Sequence, residues 1–129
     1  LIDDSIVRGT TSVKIVELMR QAGAREVHMK IASPPIKYPD FYGIDTPEKA
    51  QLLASLKSEK EMATYIGADS LSFLSVDGLY RAMGHEKGRD DSNPAFTDHC
   101  FTGDYPTPLE DNNIAWLFET SQLSVRNEN

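Results

Sequence analysis

The sequence predicts an α/β fold on a parallel sheet, and three observations carry that expectation. Leu1 and Ile2 read as the end of a buried strand. Residues 27–32 place Val27, Met29 and Ile31 on one face and His28, Lys30 and Ala32 on the other, which is the period of two of a second strand. One helix-length stretch separates them, so the order is strand, turn, helix, strand. A crossover helix is what two parallel neighbours require.

The elements follow in turn. Residues 3–9 form a polar, glycine-bearing turn, after which Thr10 or Thr11 fits a helix cap. Over residues 12–22, Val13, Ile15, Val16, Leu18, Met19 and Ala22 cover a broad helical face, and Gly23 stops the helix. Pro34 and Pro35 end the second strand. Residues 33–46 make a loop carrying Tyr38, Phe41 and Tyr42, and Pro47 fits the first turn of a helix through about Leu56. Ser58 with Glu61 three residues on is a capping box for a helix ending at Gly67. Residues 70–74 read as a third strand, and Ser75 caps a helix through Met83. Composition shifts after Gly84. Residues 85–112 are rich in Asp and Pro and poor in aliphatics, so a long irregular surface segment is expected, followed by a last helix over residues 113–123. The expected division is therefore 1–84 for the sheet and its helices and 85–129 for an irregular C-terminal segment and helix.

Composition narrows the function. Of 129 residues, 40% are hydrophobic and 26% charged, so neither wholesale disorder nor a collagen-like repeat describes the chain. Thirteen Lys and Arg against twenty Asp and Glu leave a net charge of −7. That balance gives no sequence-independent grip on a nucleic-acid backbone or an anionic membrane. No apolar run approaches the roughly 18 residues of a membrane helix. Neither nucleic acid nor membrane is an expected partner, and a cytoplasmic location fits. Cys100 is the single cysteine, which excludes an internal disulfide and suits a reducing compartment. The chain opens on Leu1 rather than Met, as though midway through a strand, and reads as a piece of a longer polypeptide.

The chemistry-bearing stretch is residues 3–12, Asp-Asp-Ser-Ile-Val-Arg-Gly-Thr-Thr-Ser. A helix N-terminus aims free N–H groups and a positive dipole end at what precedes it, which suits a phosphate. Gly9 lets the backbone come close, and the hydroxyls of Ser5, Thr10 and Thr11 can donate to phosphate oxygens. Arg8 adds charge or faces solvent. Asp3 and Asp4 would repel a bare phosphate, but they suit vicinal ribose hydroxyls, met directly or through Mg²⁺. The combination is a ribose-5-phosphate site. The same letters also fit a turn capped by two acids and an ordinary helix start. The Gly-Lys-Ser/Thr ending of a Walker loop is absent, and so is the Gly-x-Gly-x-x-Gly dinucleotide turn.

Residues 1–11, an apolar strand followed by two acids and a Gly-Thr-Thr loop, resemble the phosphoribosyl pyrophosphate signature of type I phosphoribosyltransferases. Their wording is similar to that of the glutamine phosphoribosylpyrophosphate amidotransferase family. The likeness continues in collinear order through Arg20-Gln21-Ala22-Gly23-Ala24, Ala32-Ser33-Pro34-Pro35-Ile36, Tyr42-Gly43-Ile44-Asp45, Ile66-Gly67-Ala68-Asp69 and Cys100-Phe101-Thr102-Gly103-Asp104-Tyr105-Pro106.

The resemblance implies the C-terminal part of a type I phosphoribosyltransferase, a Rossmann-like parallel sheet with appended C-terminal helices. It implies transfer of glutamine-derived ammonia to phosphoribosyl pyrophosphate, giving 5-phosphoribosylamine in the first step of purine synthesis. Asp3 and Asp4 match the acids that hold the ribose hydroxyls and Mg²⁺, and residues 5–11, including Ser5, Arg8, Gly9, Thr10 and Thr11, match the 5-phosphate loop. No residue here is expected to act as a general base. Implied partners are phosphoribosyl pyrophosphate, purine nucleotides as feedback inhibitors acting near residues 42–47, the rest of the polypeptide with its glutaminase domain, and further copies in a homo-oligomer. Some family members hold an iron–sulfur cluster on four cysteines; where they have three of them, this chain has Asp40, Pro94 and Thr97. No cluster is expected, and Cys100 is expected to be a small, partly buried non-ligand. Without the glutaminase domain and the earlier transferase segments, the piece alone is expected to be inactive and prone to associate through open strand edges. Two rival readings use the same donor: a non-catalytic regulator of transcription that binds phosphoribosyl pyrophosphate, and a base-salvage phosphoribosyltransferase. The charge and the lack of a DNA-binding motif oppose the first. The acceptor, ammonia or a free base, separates the second.

Overall fold

A computed structural model describes residues 1–109. The helix expected over 113–123 lies outside the described residues. Three short strands, β1 (Ile2–Asp3), β2 (His28–Ile31) and β3 (Ser70–Phe73), form a parallel sheet in the order β1-β2-β3. Ile2 lies opposite Lys30, and Met29 opposite Leu71. Helix α1 (Thr10–Gln21) links β1 to β2, and α3 (Glu59–Ile66) precedes β3. The parallel βαβ reading of the sequence therefore holds.

One face of the sheet makes the core. Met29 and Ile31 from β2 meet Val16 of α1 and Met62 and Ile66 of α3, with Leu71 and Phe73 packed alongside. Each such side chain contributes about 1.5–3 kcal/mol when fully buried. The opposite face carries His28, Lys30, Ser70 and Ser72, all exposed. Parallel partners share a face, so Ile2, paired with Lys30, points the same way and is 76% exposed. This corrects the expectation of a buried first strand. The broad apolar face of α1 is narrower than expected as well. Ser12 and Val16 are buried, whereas Leu18, Met19 and Ala22 are exposed, because the sheet and α3 cover a single stripe of the helix.

The helix ends carry the bonds that their sequences predict. At the end of α1, Gly23 N–H donates to the Arg20 carbonyl and Ala24 N–H to that of Met19, at 2.9 and 3.0 Å, with Gly23 at φ +96°. At α3 both reciprocal bonds of the Ser58/Glu61 capping box are present. Ser75 accepts from Gly78 N–H at 2.9 Å to open α4 (Val76–Ala82). The single helix expected over residues 47–56 is instead a 3-10 turn, Lys49–Gln51, and a one-turn helix α2 (Leu53–Leu56), separated by Leu52 in an extended conformation. Leu52, Leu53 and Ala54 are all buried, so packing takes precedence over helical continuity. The segment after Gly84 is largely irregular, as expected, but it is not merely surface. It contains α5 (His99–Thr102) and the buried Asp98 and His99. No helix among the described residues is long and apolar enough to cross a membrane.

Candidate functional site

The stretch between β1 and α1 is held in place residue by residue. Ile6 is 2% exposed and anchors it in the core. Leu53 N–H then donates to the Val7 carbonyl at 2.8 Å, and the Arg8 guanidinium donates twice to Gln51 Oε1, at 3.1 and 2.8 Å. Gly9 turns the chain at φ +82°, and a Cβ there would lie 2.7 Å from Leu53 Cδ2 and 3.1 Å from Tyr65 Cε1. Glycine alone satisfies both the angle and the space.

Helix α1 begins immediately afterwards. Gly9 is its N-cap, and no side chain caps it, which corrects the expectation that Thr10 or Thr11 does so. Both threonines are in the first turn, exposed, with hydroxyls that have no hydrogen-bond partner among the described residues. The N–H groups of that turn have no intrahelical acceptor and open toward the loop. Asp3 Oδ1 accepts from Asp4 N–H at 3.0 Å, and Asp4 Oδ1 accepts from Ser5 N–H at 2.6 Å and the Ser5 hydroxyl at 3.4 Å. Oδ2 of each acid is left without a donor among the described residues. Asp3, Asp4, Ser5, Arg8, Gly9, Thr10 and Thr11 all line one hollow of about 320 Å³, bounded by residues 3–12 at the carboxyl end of β1. In open α/β sheets ligands bind at that end. Arg8 is the partial exception, because its guanidinium is engaged with Gln51.

Two polar clusters join the segment after Gly84 to earlier parts of the chain. In the first, Asp40, between Pro39 and Phe41, meets His99. Their side chains are 2% and 4% exposed, and His99 Nε2 lies 2.6 Å from Asp40 Oδ1. Burial works to raise the Asp40 pKa, but N–H bonds from Ile44 and Tyr42 and the bond to His99 outweigh it, and the carboxyl sits below its ordinary value. Cys100 is half-buried beside them, and burial followed by the Asp40 charge pushes its thiol up. In the second cluster Arg89, whose side chain is 9% exposed, donates to Asp98 Oδ2 at 2.7 Å, to Asp104 at 2.6 Å and to Asp91 at 2.7 Å. Tyr80 donates to Asp98 Oδ2 at 2.7 Å. Local spacing gives no sign of either cluster, since Asp40 and His99 are 59 residues apart. The one available signal was the run Asp98-His99-Cys100, polar residues in a segment otherwise expected to be surface. A four-thiolate cluster does not fit these residues, because Cys100 is the chain's sole cysteine.

No family model matches the chain. It is 65% identical over 114 residues to the amidophosphoribosyltransferase of Rhizobium etli, an alignment covering 88% of this chain and 23% of that protein. It is 56% identical over 109 residues to the Bacillus subtilis amidophosphoribosyltransferase, covering 84% and 22%. Among solved structures, glutamine phosphoribosylpyrophosphate amidotransferase from B. subtilis complexed with ADP and GMP aligns with a TM-score of 0.76 and 55% identity, over 86% of this chain and 24% of that one. The parallel sheet and its solved neighbours put the fold in the type I phosphoribosyltransferase class. Within that class the chain matches a segment of the amidophosphoribosyltransferases. It spans less than a quarter of the length of these curated relatives.

Proposed function

We propose that the longer polypeptide carrying this chain is an amidophosphoribosyltransferase, and that this chain grips the ribose 5-phosphate of its donor. The polypeptide takes ammonia released from glutamine and places it on C1 of phosphoribosyl pyrophosphate, giving 5-phosphoribosylamine and pyrophosphate as the first step of purine synthesis. The observation that carries this reading is the single hollow of residues 3–12, in a chain 65% identical to a named amidophosphoribosyltransferase. The open first turn of α1 and the hydroxyls of Ser5, Thr10 and Thr11 meet the phosphate. Asp3 and Asp4 meet the vicinal hydroxyls. Their donor-free Oδ2 atoms also fit Mg²⁺, which takes carboxylate oxygens and, when bound, neutralises the departing pyrophosphate. During transfer the C1–O bond to pyrophosphate breaks as the C1–N bond forms. The chain's part is to fix both ends of the ribose so that C1 faces the incoming ammonia. To act on the phosphate, Arg8 exchanges the neutral Gln51 oxygen for a charged one.

The proposal includes a glutaminase domain elsewhere in the polypeptide, assembly as a homo-oligomer, action in the cytoplasm, and inhibition by purine nucleotides near residues 42–47. That purine nucleotides bind at all is supported by the B. subtilis relative, which was solved with ADP and GMP. The test is the full-length polypeptide with Thr10→Val and Thr11→Val together. Losing two hydroxyl donors to a charged group raises the KM for phosphoribosyl pyrophosphate about tenfold or more. An unchanged KM overturns the loop assignment, and turnover with free bases in place of ammonia overturns the choice of enzyme.

A further inference from the structure

We propose that Gln51 is a positioning residue for the donor's 5-phosphate: acting through Arg8, it holds the guanidinium and the turn behind it ready before the substrate arrives. The inference rests on the reading of residues 3–12 as the phosphate grip. Arg8 is the only cationic side chain among the residues that line that hollow. It is exposed, and an exposed arginine left to itself samples many rotamers. Gln51 Oε1 removes that freedom by accepting from Arg8 Nε at 3.1 Å and from Nη2 at 2.8 Å. Both bonds fall on one edge of the guanidinium, and Nη1 has no partner among the described residues. The shared oxygen is neutral, so a charged phosphate oxygen makes the stronger bond and can take Arg8 over.

The holder is itself fixed. Gln51 closes the 3-10 turn, its N–H donating to the Glu48 carbonyl at 2.8 Å, and the next two residues, Leu52 and Leu53, are 0% and 5% exposed. A side chain on so well anchored a turn places its acceptor more precisely than one on a free loop. Leu53 N–H donates to the Val7 carbonyl at 2.8 Å, and that carbonyl belongs to the peptide joining Val7 to Arg8. One short stretch of chain therefore holds both the peptide before Arg8 and the Arg8 side chain. Gly9, the N-cap of α1, follows directly. Freedom gained at Arg8 thus reaches the first N–H groups of the helix as well as the guanidinium. Gln51 does not itself line the hollow, so its effect passes through Arg8. Local spacing does not mark it, since 43 residues separate the two.

The test is steady-state kinetics of the full-length polypeptide with phosphoribosyl pyrophosphate varied at saturating glutamine. Gln51→Ala raises the KM about two- to tenfold, the range expected when one long side chain must be ordered on binding. It leaves kcat unchanged, because the phosphate lies away from the reacting bond and is held equally before and during transfer. In an Arg8→Ala background, Gln51→Ala raises the KM no further. Gln51 is exposed, so the variant keeps the fold, as an unchanged circular dichroism spectrum verifies. A KM at or below the wild-type value, a fall in kcat in place of the rise in KM, or an undiminished effect in the Arg8→Ala background overturns the proposal. Thr10→Val with Thr11→Val, run alongside, separates the two levels. If that variant raises the KM and Gln51→Ala does not, the positioning role fails alone; if neither moves it, the loop assignment fails as well.

Discussion

Gly9 is constrained twice, by a left-handed backbone angle and by Leu53 Cδ2 at 2.7 Å from any added Cβ. Gly9→Ala therefore takes on both the strain of the angle and the clash, about 2–4 kcal/mol together. Urea denaturation should show that loss, and on the proposed function the KM of the full-length polypeptide for phosphoribosyl pyrophosphate should rise, because the turn that aims the first N–H groups of α1 is displaced. The buried acids make a pH prediction. Burial raises Asp98, but bonds from Arg89, Tyr80 and Thr102 outweigh it and leave the group below its ordinary 3.8, as Asp40 also is. Below that ordinary value the unfolded chain binds more protons than the folded one. Stability is therefore complete above about pH 4 and declines as the pH falls toward the folded-state values. Asp98→Asn, which leaves the buried Arg89 short of a charge partner, should cost about 3 kcal/mol at pH 7 and flatten the acid limb of a melting-temperature profile. Residues whose role is local were legible in the sequence: Gly9, Thr10, Thr11 and the paired acids sit within nine positions of one another. Asp40, His99, Arg89 and Asp98 were not, because their roles exist only once distant segments meet.

Among the elements, the 3-10 turn and α2 matter beyond their length. They brace the loop through Gln51 on Arg8, Leu53 N–H on Val7 and the Leu53 side chain on Gly9. The sequence predicted a helix here, since Pro47 and the following residues are compatible with one. What it could not show was that the chain breaks at Leu52 to bury Leu52, Leu53 and Ala54 and to send an N–H to the loop. Cap signals were legible at Gly23, Ser58 and Ser75 because a cap is a short-range bargain between neighbours. Leu53→Ala should cost about 2–5 kcal/mol as a buried truncation. It also removes the atom closest to a Cβ on Gly9. In the double variant Gly9→Ala with Leu53→Ala the losses should fall short of additive, by about 0.5 kcal/mol or more. Strict additivity in a denaturation cycle would mean that Leu53 braces the loop only through its backbone.

For the molecule as a whole, the parallel topology was legible because consecutive strands pair, with β1 beside β2 and β2 beside β3, so local order determined global order. The docking of α5 onto the loop around Asp40 was not, because no periodicity links those stretches. Among the described residues β1 and β3 are the edges of the sheet, and β1 presents Ile2 at 76% exposure and Leu1 at 47% on a strand with one open side. An unpaired apolar edge is a template for another chain. In the full-length polypeptide, the remaining three-quarters of the length seen in the relatives is available to cover it. Produced by itself, the 14.4 kDa chain should sediment faster than a monomer, and increasingly so with concentration. Ile2→Lys places a charge beside Lys30 on the same face, where the edge repels a second copy, and should return the chain toward monomer without altering its circular dichroism. If the wild-type chain stays monomeric at every concentration, the edge is protected. If Ile2→Lys leaves association unchanged, the contact lies elsewhere on the surface.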